Sequence, residues 1–517
     1  MQISRCFHMV LLTFVLGGGA ALAQNTGPST ATSPYLLPST SGVSTTSVLT
    51  VGDSIGGYRM VGIPDGLGGF GSDTSWSLMM HHELGWNVGV PRAHGSAGAF
   101  VSRWELNDSL MVTSGRDHNT NPNDVFTWNG AGYTAGTTAW NRLCSADLAA
   151  TSAFSYNGYG TTNRLFLGGE EYDERFPVDP NHPDHGRAFA HVATGADANT
   201  SWQLPRLGRM AFENAVASPH PQLRTVVVPM DDADRVTNPQ QTLAPSELYV
   251  YIGTKTNTGN DIERAGLTNG NLYGVRVGGV TAESNTLGQA LGGSNSGTFS
   301  LYNFGNVENT SGVDLQDMSI ANDITRFQRL EDGAWDPRPG QENDYYFVTT
   351  ASFSSNSRLW RMRFNDVENP EAGGVLEVIL DGDAGQKMFD NLCIDQHGRI
   401  LLQEDVGNNA RLGKVWLYDI DSGGFVEVAA HSADYFTSGG PNFLTIDEES
   451  SGIIDASQLL GDGWFLLDVQ AHHALGGELV EGGQLVAMYV DPSIIPEPAT
   501  VTALAVVALL GRRSSRN

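Results

Sequence analysis

The chain has 517 residues, 57 of them acidic and 29 basic, for a formal charge of −28. So acidic a chain carries no basic footprint for nucleic acid, and its excess carboxylate suits surroundings that contain divalent cations. Its three cysteines, Cys6, Cys144 and Cys393, are too few for a disulfide scaffold.

In chain order, the first feature is a secretory signal over residues 1–23. Arg5 supplies a positive start, Met9–Leu16 an apolar run, and Ala21-Leu22-Ala23 the small residues of a cleavage site before Gln24. The apolar run is too short and too Gly-rich to span a membrane. Signal peptidase is thus the first expected partner, and Cys6 leaves with the signal. Residues 24–48 are rich in Ser, Thr, Pro and Gly without apolar periodicity, and read as a flexible leader.

Residues 49–491 read as one large all-β domain. Short apolar runs such as Thr225–Val228, Leu248–Ile252, Tyr345–Thr349, Ile400–Gln403, Val415–Tyr418 and Phe465–Val469 are bounded by turn residues. A loose repeat narrows the choice of sandwich, barrel or propeller. Glu331-Asp332 leads into Tyr345–Thr350 and then Leu359–Phe364; about 60 residues on, Asp390-Asn391 leads into Ile400–Asp405 and Lys414–Tyr418. A weaker copy starts at Glu213-Asn214. Units of this length holding several strands predict the blades of a β-propeller.

The carboxyl and amide pairs Glu213-Asn214, Glu331-Asp332 and Asp390-Asn391 each open a unit. Loops entering the innermost strands of a propeller face one funnel, so these pairs converge there. Gathered carboxylates repel unless a cation neutralises them, and calcium takes six to eight oxygen ligands. Turn-forming Asp, Asn and Glu is the plainer explanation of any one pair. Upstream, His81-His82-Glu83 closes one strand and Gly169-Glu170-Glu171 another, with Cys144-Ser145 between them. For Cys144 an inert buried thiol and a thiolate ligand to a transition metal stand equally. The acidic stretch Thr445–Asp455 reads as a solvated turn, and Asp179, His182, Asp184 and His185 as a polar loop.

The order His82-Glu83, Cys144-Ser145, Gly169-Glu170-Glu171, Gly208–Glu213, Glu331-Asp332-Gly333, Asp390-Asn391 and Val469–His472 resembles the PhoX-type alkaline phosphatase family. The resemblance implies a β-propeller, six-bladed, that hydrolyses phosphate monoesters with iron and calcium. It makes Cys144 a ligand of iron. Glu170, Glu171 and Glu213 become carboxylate ligands, and Glu83, Glu331 and Asp390 further candidates for the same metal cluster. The sequence departs from the family after Cys144-Ser145, where Ala146-Asp147-Leu148 follows in place of a Gly-Gly segment, and no tryptophan lies between Cys144 and Glu171. Gly169 stands where a second cysteine is frequent, and His472-His473 where the family closes on His-Pro. Two other functions fit the residues: a non-catalytic, calcium-stabilised propeller of the cell surface or matrix, and a phytase-like phosphoesterase.

The chain ends on Pro496-Glu497-Pro498, an apolar stretch Ala499–Leu510, and Arg512-Arg513. This resembles the PEP-CTERM sorting signal. The resemblance implies an exosortase partner, transient contact with the inner membrane, and delivery to the envelope, surface or matrix of a Gram-negative-type bacterium. About a dozen apolar residues are short of the roughly 20 that a stable span needs.

Overall fold

The short apolar runs pair with their sequence neighbours because tight turns leave antiparallel hairpins as the nearest partners. The computed structural model describes residues 23–72, 74–172, 185–233 and 246–496. The signal sequence before Ala23, the sorting tail after Pro496, and Asp179, His182 and Asp184 lie outside the described residues.

Six antiparallel blades surround an axis, and the architecture is a β-propeller. Blade 1 comprises Pro64–Ser72, Ser75–His82, Phe100–Leu106 and Val112–Asp117. Blade 2 runs outward from Leu143–Asp147 through Leu165–Glu170 and Ala188–Val192 to Ser201–Gln203, and Val125–Trp128 and Tyr133–Ala135 widen it. Blades 3 and 4 start at Phe212–Ala217 and Leu330–Trp335, and Ser296–Gly305 stitches their outer strands into one sheet. Blade 5 starts at Phe389–Ile394 and blade 6 at Glu448–Asp455. Each innermost strand touches the next, and that of blade 6 returns to that of blade 1.

The ring is closed by a strand from the N-terminal side. Val43–Thr50 pairs antiparallel with Val480–Val490 and becomes the fourth strand of blade 6, with Ala23–Thr26 beside it. Leu36–Pro38 adds a fifth strand to blade 5. Residues 24–48 are therefore no flexible leader. Thr and Val favour the extended chain, Leu36 is buried, and Ser47 Oγ donates to the Thr32 carbonyl at 2.7 Å, so a polar composition is satisfied inside the fold.

The core lies between blades, which explains the continuous apolar runs. In Arg399–Glu404, Ile400 and Leu402 face blade 4 while Leu401 faces blade 6, all fully buried. Both faces of such a strand are covered, so the usual apolar–polar alternation disappears. Each buried side chain of this size contributes about 1.5–3 kcal/mol relative to exposure.

Candidate metal centre

The innermost strands share one irregularity. In blades 1 to 5 the ladder to the second strand jumps across two residues: Asp65-Gly66, Cys144-Ser145, Glu213-Asn214, Glu331-Asp332 and Asp390-Asn391. Each is a β-bulge, two residues opposite one, which re-aims side chains and tightens local twist. Blade 6 bulges too, at Gly452. Four of the five strands are entered through a non-glycine residue in the left-handed region: Ile63 at φ 51°, Arg142 at 51°, Arg329 at 61° and Met388 at 44°. Such backbone is disfavoured, by about 1–3 kcal/mol per residue, and persists where its surroundings hold it.

The bulges split the work within each pair. Four of the first residues, Cys144, Glu213, Glu331 and Asp390, line a cavity of about 320 Å³ at one end of the axis, and the fifth, Asp65, lies against Cys144. The second residues form a hydrogen-bonded belt beneath it. Asn214 Nδ2 donates to Asp332 Oδ1 at 2.7 Å, the Leu392 amide to Asp332 Oδ2 at 3.2 Å, and Asn391 Nδ2 to Ser145 Oγ at 2.5 Å. Ser145 Oγ in turn donates to Glu213. The belt joins blades 2 to 5 and fixes one carboxylate of the cup from below.

Three sets of donors lie within 4.8 Å of one another: Asp65, Glu83 and Cys144; Cys144, Glu171 and Glu213; Glu213, Glu331 and Asp390. Cys144 and Glu213 each belong to two sets, so the sets form one continuous cluster. Of the seven ligand positions expected from the sequence, six are brought together here. Glu170 is not. Strand alternation turns it away from Glu171. Its oxygens accept from Arg187 Nε at 2.8 Å, Arg187 Nη2 at 2.8 Å and the amides of Arg187 and Asn141 at 3.1 Å. A buried carboxylate so fully bonded has no lone pair free for a cation.

The sequence reading missed other members. Asp65 Oδ2 accepts from Cys144 Sγ at 3.3 Å, and Asp405, Glu449 and His472 line the cavity. Asp65 was hidden because glycine, not an amide or acid, follows it. Glu449 was hidden because Glu448–Asp455 is the innermost strand of blade 6, not a solvated turn. Arg142 and Arg329 complete the rim. Arg142 Nε donates to Glu83 at 2.8 Å and its fork also pairs Glu171, while Arg329 Nε donates to Asp232 at 3.1 Å and pairs Glu331 at 3.2 Å.

Eight carboxylates line the cavity against two arginines and one histidine. Protonation reflects the imbalance. Burial, then the charges of Glu83 and Glu213, push Asp65 well above the carboxylate range. Burial and then Glu449 do the same to Asp390, and burial and then Asp232 to Glu331. Burial raises Glu213 to about 8 against hydrogen bonds from Ser145 and Cys144, and Asp405 to about 7 with help from Glu449. The Cys144 thiol is pushed up by burial and then by Asp65. Burial works downward on His472, but Glu449 and Glu481 outweigh it and raise the imidazole to about 11. A cluster that must hold protons in place of charge has the composition of a cation site.

No known protein-family profile matches the sequence, and no curated protein matches it. The structure is similar to that of Pseudomonas fluorescens PhoX in complex with vanadate, a transition-state analogue, with a TM-score of 0.55 and 13% identity over 87% of this chain and 95% of that one. The two share a fold. PhoX is matched along nearly its whole length, so the likeness covers the ring of blades and not a fragment of it. At this identity PhoX speaks for the architecture, and the chemistry rests on the side chains of the cup.

Proposed function

We propose that this protein is an exported, metal-dependent phosphoric monoester hydrolase of the PhoX kind, with calcium and iron held in the cup. The observation that carries the reading is the convergence of five bulged strands, which deliver Asp65, Cys144, Glu213, Glu331 and Asp390 to one buried cluster in which Cys144 and Glu213 are shared. The donors fit the metals: the sets containing Cys144 offer a soft ligand to iron, and Glu213, Glu331 and Asp390 offer only oxygen, as calcium prefers. Glu83 and Glu171 complete the cluster.

Cations held there would supply positive charge opposite the phosphoryl oxygens of a bound ester. The chain itself contributes orientation. Arg142 and Arg329 stand at the rim with planar forks that suit two phosphate oxygens at once. The Arg142 side chain is 45% exposed and can reach an incoming ester. His472 keeps a proton near the cup, bonded through Nδ1 to Glu481 at 2.8 Å. The belt of Ser145, Asn391, Asp332 and Asn214 holds Glu213 in place.

A second reading, a non-catalytic propeller stabilised by calcium, is favoured by one observation: carboxylates already occupy both guanidiniums that phosphate would need. Assay of p-nitrophenyl phosphate hydrolysis, with metal analysis of the same sample, separates the two. Turnover lost in Cys144→Ala while the fold is kept supports the hydrolase; bound calcium without turnover supports the second reading. A panel including inositol phosphates separates phytase-like activity. Export through the signal sequence and sorting by an exosortase rest on the sequence features at the two ends. Fractionation of cells producing the full chain tests them, and material confined to the cytoplasm would refute both.

A further inference from the structure

Gln470 lies on Trp464–Gly476, in the blade that closes the ring, and is fully buried. Its Nε2 meets three oxygens: Asp65 Oδ2 at 3.2 Å, Glu83 Oε2 at 3.0 Å and Ser451 Oγ at 2.9 Å. Its Oε1 is equally buried and has no hydrogen-bond partner. An amide nitrogen has two hydrogens, so it cannot satisfy three acceptors fully. A buried amide oxygen without a partner costs about 1–3 kcal/mol. The side chain is thus over-committed at one end and vacant at the other.

The two ends of an amide have nearly the same shape, and a half-turn about the last torsion exchanges them. With the ends exchanged, Oε1 would stand among Asp65, Glu83 and Ser451, an all-oxygen surrounding that repels unless a cation lies in it. Asp65 and Glu83 are the two carboxylates of the donor set that also contains Cys144. We infer that Gln470 is a two-state residue of the cup. Without a cation its NH₂ group bridges Asp65 and Glu83 and damps their repulsion across the seam between blades 6 and 1. With a cation in that set, the amide turns and Oε1 becomes a neutral fourth ligand. This rests on the proposal that the cup holds cations, and it assigns a ligand outside the carboxylates and thiol of the donor sets.

Two substitutions separate this role from simple packing. Gln470→Glu keeps the shape and supplies oxygen at both ends: it should tighten binding of the cation in this set and lower the thermal stability of the chelator-treated protein. Gln470→Leu removes ligand and bridge together, and should weaken binding by roughly 10-fold or more while also destabilising the chelated form. The measurement is titration of calcium and of iron(II) into chelator-treated full-length protein, by calorimetry, with melting curves of each variant with and without cation. If wild-type protein binds neither cation, the cation-cup reading itself fails. If it binds, and both variants bind as wild type does, or Gln470→Glu binds more weakly, the cup stands and the ligand role of Gln470 is overturned. A variant that melts before titration is judged on the other one.

Discussion

Buried carboxylates occur in two regions of this molecule, and they are treated in opposite ways. Between the blades three are matched to buried arginines. Glu283 and Arg358 are both fully buried and paired, and Glu283 also accepts from the Gln328 amide at 2.8 Å. Glu170 and Arg187 form a second such pair, and Asp395 and Arg399 a third at 2.7 Å. In the cup eight carboxylates face three basic side chains. Those three acids are neutralised by arginines, whereas the eight acids of the cup share three basic side chains. Burial alone therefore does not mark the site, since Asp468 is fully buried with neither carboxylate oxygen partnered; the convergence of many acids on one cavity does.

The largest effect comes from breaking a matched pair. Glu283→Ala takes one of two carboxylate partners from buried Arg358, leaving Asp381 at 2.6 Å, and should cost about 3 kcal/mol in denaturant unfolding, whether or not calcium is present. Removing a cup acid should behave differently. Glu213→Gln should raise the melting temperature of chelated protein, because it deletes a repelled group, yet weaken cation binding by roughly 10–100-fold in titration. If both substitutions act alike, the distinction between the two regions collapses.

Acidity sharpens the comparison further. Glu213 is held at about 8 and Asp405 at about 7 in the fold, both above their ordinary carboxylate values. Between the ordinary value and the raised one, the unfolded chain binds fewer protons than the folded chain. Stability of the metal-free protein should then fall as pH rises from about 4.5 toward 8, by at most about 1.4 kcal/mol per unit for each such group. Saturating calcium should flatten or reverse that slope in melting curves; an unchanged slope would mean that the cup acids are not what the cation meets. The smallest effect concerns the strained entries. Met388→Gly should relieve a left-handed backbone at φ 44° and change stability by about 1 kcal/mol or less, in the stabilising direction. Clear destabilisation would show that the Met388 side chain, not its backbone, matters there.

The strand runs and the repeat were legible because both faces of each strand are covered, which leaves apolar blocks between turns. The pairs at Glu213, Glu331 and Asp390 were legible because each opens a repeat. Glu170 was misread because a doublet of acids does not reveal which member the strand turns inward, and Arg187, its partner, lies across the sheet on the next strand. Asp65 carried no doublet of the expected form, Glu449 stood in an acidic stretch that reads as a solvated turn, and Gln470 drew attention only as part of a resemblance. The seam that brings blade 6 to blade 1 joins residues some 400 positions apart, as Gln470 and Asp65 show, and no local pattern encodes such a meeting. Residues 24–48 were misread because their strand partner, Val480–Val490, and the Glu427 acceptor of Ser39 and Thr40 arrive from the far end of the chain.

The proposed cation centre of the bulged strands turns on Cys144 and Glu213, which are shared between donor sets. Elemental analysis of protein purified without chelator, set beside the Cys144→Ala, Glu213→Gln double variant, tests it most directly. Bound metal is expected in the wild-type protein, with its loss from a folded double variant. Equal metal content in the two, or none in either after incubation with calcium and iron, would contradict it.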